Sequence, residues 1–107
     1  MNTFGLEADD MDTIISILAA HSEIESAILY GSRATGRFRT GSDIDLVLTG
    51  NDLTDQTILD VCAEFRNSSV PYRVDVVAEQ DIGSENLKQE IDATGCLFWK
   101  SYSGCAD

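Results

Sequence analysis

The sequence lacks the usual marks of a secreted or membrane-embedded protein. Its three cysteines, Cys62, Cys96 and Cys105, show no C-x-x-C spacing. The odd number disfavours a disulfide framework, and the spacing disfavours a zinc site. No basic residue precedes an apolar stretch near the start, and every apolar run falls far short of the roughly 20 residues that a transmembrane helix needs. We therefore expect a cytoplasmic protein with reduced thiols and no membrane association.

Proline and positive charge are also scarce. One proline and eight glycines leave no Pro-rich or Gly-rich linker, so we expect one domain spanning residues 1–107. Seven basic residues against 19 acidic ones give a net charge of −12. Such a surface repels phosphate backbones, so direct nucleic-acid binding is disfavoured. The charge is compatible with a basic protein partner, or with solubility alone.

The hydrophobic pattern predicts helices alternating with short strands. Helical periodicity and capping signals alternate with brief apolar runs, which predicts an α+β fold with a small mixed β-sheet flanked by helices. The predicted helix 54–65 turns Ile58, Cys62 and Phe65 inward, and helix 84–95 begins at Ser84 and ends on a left-handed Gly95. The segment 96–99 is either a last strand or a docked tail. The remaining predicted elements are a helix with its apolar face over 11–19, strands at 26–30, 43–48 and 70–77, and a helical turn at 32–36.

A candidate anion site follows the first predicted strand. Gly31 and Ser32 place free backbone N–H groups at a helix start, where negative charge is favoured. Arg33, Arg37 and Arg39 fall in a stretch without acidic residues. Arginine suits phosphate because its planar guanidinium donates hydrogen bonds in pairs. The alternatives are a plain turn and a solvated basic loop.

Three aspartates form a candidate cation site. Asp43 and Asp45 lie two residues apart on a predicted strand, so both side chains share one face with Cα atoms ~7 Å apart. Paired carboxylates on a half-buried strand need a compensating charge, for which magnesium is a common choice. Asp75 joins them if its strand lies beside the strand at 43–48. The alternative is that the acids simply face solvent.

Together these motifs resemble a known family. The sequences G-S-R-A-T-G at 31–36, S-D-I-D-L at 42–46 and P-Y-R-V-D-V at 71–76 are similar to the core of the DNA polymerase beta superfamily of nucleotidyltransferases. Within that superfamily the chain resembles minimal nucleotidyltransferase (MNT) proteins, which pair with HEPN-domain proteins in toxin–antitoxin systems. The resemblance covers nearly the whole chain and implies the polymerase beta-like nucleotidyltransferase fold.

The resemblance also implies roles for single residues. Gly31 and Ser32 would hold the triphosphate of ATP, with Arg33 and Arg37 as further phosphate donors. Asp43 and Asp45 would bind Mg²⁺, and Asp75 would help to bind it or accept the proton of the attacking hydroxyl.

The implied activity is transfer of AMP to a tyrosine of a HEPN toxin, which makes this chain the antitoxin. Relatives often carry a basic residue where Thr35 stands, and the loss of that charge would weaken binding of the triphosphate. Two alternatives stay open: neutralisation of the partner by contact alone, and transfer to a small molecule.

Overall fold

A computed structural model of the protein describes residues 5–36 and 43–101, with Ser32 described by its backbone alone. The chain alternates between helices and strands, as the sequence predicts. A short 3₁₀ turn, Glu79–Asp81, follows the third strand. In chain order the elements are α1 (Ala8–Ala19), β1 (Ser26–Tyr30), α2 (Ser32–Thr35), β2 (Ile44–Thr49), α3 (Asp55–Arg66), β3 (Val74–Ala78), α4 (Glu85–Thr94) and β4 (Cys96–Lys100).

The four strands form one mixed sheet in the order β3-β2-β1-β4. β1 runs antiparallel to β2 and to β4, whereas β2 and β3 are parallel. The segment 96–99 is therefore a strand and not a docked tail, since it pairs with β1 along the sheet. The predicted α+β class with a mixed sheet flanked by helices is confirmed.

One face of the sheet packs against α1 and α3 to form the core. The inward residues of α1 are Ile14 and Leu18, as its periodicity predicts. On α3 the predicted Phe65 is buried, and the predicted Ile58 and Cys62 are partly buried against the core. The sequence did not predict the two other buried residues, Thr57 and Val61. From the sheet, this core receives Ala27, Leu29, Ile44, Leu46, Leu48, Val76, Ala78 and Phe98.

The opposite face of the sheet lies toward α4. A methyl group added to Gly95 at the end of α4 would come within 2.9 Å of Ile28 on β1, and Val47 of β2 lines a cavity together with Ile91 of α4. Because side chains alternate along a strand, Asp45 lies on the same face as Val47. The acidic residues thus lie on the face away from the main core.

Two predicted details were wrong. The third strand spans Val74–Ala78 and not 70–77, because its parallel register begins where Ile44 meets Val74 and Pro71 has no N–H for a ladder. Gly95 has an ordinary φ of −65° and is not left-handed. A glycine suits this position for space instead, since an added Cβ would lie 2.4 Å from the Ile91 carbonyl oxygen.

Polar side chains secure the helix ends. The side chains of Thr54 and Ser84 each accept a hydrogen bond from a backbone N–H in the first turn of the following helix. His21 follows α1, and its Nε2 lies 2.6 Å from Glu64 of α3. This contact ties the two core helices together. None of the helices in the described ranges has the length and apolar character needed to cross a membrane.

Candidate active site

Parallel pairing of β2 and β3 places two acidic residues side by side. Asp45 of β2 is in register with Asp75 of β3, so the two side chains lie on the same face, on strands ~4.8 Å apart. Asp43 is exposed and directly precedes β2. The adjacency on which the predicted site depended is therefore present, with Asp45 at its centre.

Repulsion among the acidic side chains of the site acts mainly on Asp45. Burial raises the pKa of its carboxyl group, and the nearby charges of Asp75, Asp43 and Glu90 raise this pKa further. Arg73 opposes the effect: its Nε donates to Asp75 Oδ1 at 3.1 Å, and its charge lowers the pKa of Asp45. An ionised Asp45 is thus disfavoured in this setting unless positive charge is supplied.

Tyr30 and Glu90 join the site without having been predicted. Tyr30 is the register partner of Asp45 across β1 and β2. Burial raises the pKa of the Tyr30 hydroxyl, and so do the charges of Asp45, Asp75 and Glu90. Strand alternation could have identified Tyr30, which directly precedes Gly31. Glu90 on α4 carries no such signal, because its approach depends on how α4 packs on the sheet.

Gly31 makes a close approach to the acidic residues. Its φ is +79°, and a Cβ built there would lie 2.7 Å from Oδ2 of Asp45. The backbone leaves the strand here and begins α2, with the N–H of Ala34 donating to the Gly31 carbonyl at 3.1 Å. The turn predicted at 32–36 is confirmed, and it ends at Gly36 with a φ of +80°. The absence of a side chain at Gly31 allows the Asp45 carboxylate to lie close to the backbone.

Arg33 does not have the environment expected of a phosphate donor. Its side chain is 2% exposed, its guanidinium lies 4.5 Å from the centroid of the Tyr72 ring, and Nη1 donates to the Gly5 carbonyl at 3.5 Å. These contacts join α2 to the segment before α1 and to the loop before β3. The side chain of Ser32, and all of Arg37 and Arg39, lie outside the described residues.

The carboxylates suit a hard cation with substrate oxygens completing its shell. In the part of the chain that the structure describes, no three metal-ligating side chains are gathered around one point. Magnesium in nucleotide enzymes commonly takes one or two carboxylates together with phosphate oxygens. The Asp45–Asp75 pair matches that donor set, and the raised pKa of Asp45 reports a need for positive charge. The residues present therefore fit magnesium bound together with a nucleotide.

The fold and this site define a class. A mixed sheet with a glycine turn after one strand and paired acidic residues on the next two strands is the arrangement expected of a nucleotidyltransferase fold. The family model described as polymerase beta, nucleotidyltransferase matches residues 12–102. The chain belongs to this family.

Solved structures with the same fold include toxin–antitoxin complexes. One, a toxin–antitoxin with AMP-PNP, has a chain that superimposes with a TM-score of 0.69 at 22% identity, covering 88% of this chain and 76% of that one. Another is a tri-AMPylated HEPN toxin in complex with MNT antitoxin from Shewanella oneidensis, with a TM-score of 0.66, 19% identity and coverage of 94% and 77%. A comparison with curated proteins gives no match. At these identities the structural likeness establishes the fold.

Proposed function

We propose that this protein is a magnesium-dependent nucleotidyltransferase that moves AMP from ATP to a tyrosine hydroxyl of a HEPN toxin, and so acts as its antitoxin. The observation that carries the proposal is the pairing of Asp45 with Asp75, with the Gly31 backbone in close approach to Asp45. Two adjacent carboxylates can hold the divalent cation that nucleotidyl transfer requires.

Each group has a distinct part in the reaction. The turn at Gly31 and Ser32 would bind the triphosphate, and Asp43, Asp45 and Asp75 would hold magnesium. A bound magnesium ion would supply positive charge to the phosphate oxygens. The tyrosine oxygen bonds to the α-phosphorus, its proton passes to Asp75, and the bond to pyrophosphate breaks. Partial burial of Asp45 would strengthen its electrostatic interaction with such a cation.

The choice of partner and nucleotide rests on the relatives. A chain of the same fold occurs in a complex whose HEPN toxin is tri-AMPylated, and another occurs in a toxin–antitoxin with AMP-PNP. Both are consistent with AMP transfer between the two components of such a pair. A net charge of −12 further favours a protein acceptor over a nucleic acid.

A second candidate, neutralisation by contact alone, has one observation in its favour. Thr35 stands where relatives often carry a basic residue, and its hydroxyl donates to the Gly31 carbonyl at 3.4 Å. The position thus lacks the positive charge that would help to hold a triphosphate. A protein that binds ATP weakly could still bind and block a toxin.

Substitution of single carboxylates tests the catalytic proposal. Asp43→Asn and Asp45→Asn remove ligand charge with little change of shape, so both should abolish transfer of label from α-labelled ATP to the partner while complex formation persists. Asp52→Asn is the matched control, because Asp52 is an exposed acid away from the site, and it should transfer label like the wild type. Wild-type transfer by Asp45→Asn would refute the metal assignment.

The same Asp45→Asn variant separates the two candidates in cells that express the toxin. Chemistry predicts that its protection is lost, whereas contact alone predicts that the cells stay protected.

A further inference from the structure

A cavity of about 640 Å³ lies along the outer edge of β3. Its walls are the C-terminal part of α3, with Cys62, Phe65 and Arg66, and residues 70–77, which include Asp75. This volume is in the range of specific ligand sites. Among the strands that the structure describes, only β2 pairs with β3, so the outer backbone edge of β3 is open to another polypeptide.

The position of this cavity relative to Gly31 indicates which substrate it serves. Gly31 ends β1, and the sheet order places β2 with Asp45 and then β3 with Asp75 between Gly31 and the cavity. Nucleotidyl transfer proceeds in line, with the attacking and leaving oxygens on opposite sides of the phosphorus. If the triphosphate lies at Gly31, its pyrophosphate leaves on that side. The attacking hydroxyl then enters from the β3 edge, beside Asp75.

The charge at this edge is opposite to that of the molecule as a whole. Arg66 is exposed and has no ion-pair partner among the described residues. Arg73 lines the same cavity with a side chain that is 75% exposed, although it also contacts Asp75. Two of the seven basic residues of a chain with net charge −12 are therefore concentrated here. A ligand that lies across Arg66 should carry negative charge.

A second, more apolar cavity of about 450 Å³ continues along the same strand. It shares Val76 and Val77 with the first cavity and is bounded by Ile58 and Leu59 of α3 and Leu87 of α4. Leu59 is 63% exposed and so offers an apolar surface to a ligand in this cavity. Since the two cavities share residues, we treat them as one groove, which we call the edge groove. Its end near Arg66 is basic, and its end near Leu59 is mainly apolar but is also lined by the acidic residues Asp55 and Asp81.

We propose that the edge groove binds an extended segment of the acceptor protein that carries the target hydroxyl and is acidic on the side facing Arg66. The segment lies beside the open edge of β3, with an apolar side chain against Leu59 and the hydroxyl at Asp75. This inference rests on the proposed function, which supplies the reaction; the groove, its charge and its open strand supply the placement of the acceptor.

Peptide binding without ATP tests the groove independently of catalysis. The probes are two fluorescein-labelled peptides, each with one central tyrosine and a leucine toward one end. On the other side of the tyrosine, one peptide carries glutamates and the other carries lysines. Fluorescence anisotropy gives both affinities, and amide chemical shifts of the isotope-labelled protein locate the contact. The net charge of −12 alone predicts preference for the lysine peptide, whereas the edge groove predicts preference for the glutamate peptide.

The variants Arg66→Glu and Arg66→Gln test the charge, with Lys100→Glu as the matched control. Lys100 is exposed at the end of β4, away from the groove. The glutamate peptide should bind the wild type about three- to tenfold more tightly than it binds Arg66→Glu, as expected for one or two partly exposed ion pairs. Arg66→Gln should fall between them, and Lys100→Glu should match the wild type.

Several results would overturn the proposal. These are equal or tighter binding of the lysine peptide by the wild type, unchanged binding by Arg66→Glu, or chemical shift changes away from 70–77. A loss of ATP affinity in Arg66→Glu would assign the cavity to the nucleotide instead. If the peptide result holds but label never reaches any acceptor, the proposed function fails and the groove stands. If label reaches the partner equally in Arg66→Glu and wild type, the groove fails and the function stands.

Discussion

Replacing Gly31 with alanine should have two effects: strain from the left-handed backbone conformation at this position, and a close contact between the new methyl group and Asp45. Gly36 provides a matched control, because the two glycines have φ values of +79° and +80° and therefore the same strain on substitution. Among the described residues, a Cβ at Gly36 would meet no atom within 4 Å, whereas a Cβ at Gly31 would lie 2.7 Å from Asp45 Oδ2. The difference between the two variants isolates the contact with Asp45.

The magnitudes follow from these contacts. A non-glycine residue in the left-handed region costs about 1–2 kcal/mol, and alanine recovers ~0.4–1 kcal/mol by restricting the unfolded chain. Gly36→Ala should therefore lower the free energy of unfolding by about 1 kcal/mol. Gly31→Ala must also displace the Asp45 carboxylate, and pushing it off its rotamer adds about 0.5–1.5 kcal/mol. Urea denaturation without magnesium measures both values.

Activity should separate the variants much more sharply than stability. Gly36→Ala should transfer AMP at nearly the wild-type rate, whereas Gly31→Ala should lose transfer because the new methyl group occupies the space between the backbone and Asp45. In the unfolding experiment, Asp45→Ala combined with Gly31→Ala should cost less than the two single changes together. Additive costs in that pair, or full transfer by Gly31→Ala, would refute the proposed contact and its role.

Three further predictions follow from other observations. Burial and Asp75 raise the pKa of Asp45 in the folded state, so its contribution to stability is complete below the unfolded pKa of about 3.9 and is lost as pH rises through the folded pKa. Without metal, Asp45→Asn should therefore gain stability over the wild type toward pH 7, and an equal pH dependence of the two proteins in urea denaturation would contradict this. Gly95→Ala places a methyl group 2.4 Å from the Ile91 carbonyl oxygen at an ordinary φ, so the free energy of unfolding should fall by about 1–3 kcal/mol. An unchanged melting temperature would exclude the close contact. Thr35→Arg adds a charged donor at an exposed position and should tighten ATP binding by roughly tenfold or more, because a hydrogen bond to a charged group contributes about 1.5–3 kcal/mol. Calorimetry with magnesium measures this affinity, and an unchanged value would mean that residue 35 does not face the phosphates.

Local patterns in the sequence predict most of the secondary structure. Helical periodicity identifies α1, and a short apolar run identifies β1 at the observed residues 26–30. Thr54 and Ser84 cap helices, a property that depends only on neighbouring backbone N–H groups. The spacing of Asp43 and Asp45 predicts a common face if both lie on one strand, but β2 begins at Ile44, so only Asp45 lies within it.

Tertiary structure alone decided which of these residues meet. The adjacency of Asp75 and Asp45 depends on parallel pairing in one particular register, which no local signal specifies. The burial of Arg33 against Tyr72 depends on packing between segments that are distant in sequence, so its charge alone suggested a phosphate donor. Gly95 also looked like a left-handed helix end, whereas its actual constraint is the space left by Ile91. Periodicity and capping act over a few residues and can be recognised in the sequence, whereas register, burial and close approach arise only when distant segments pack together.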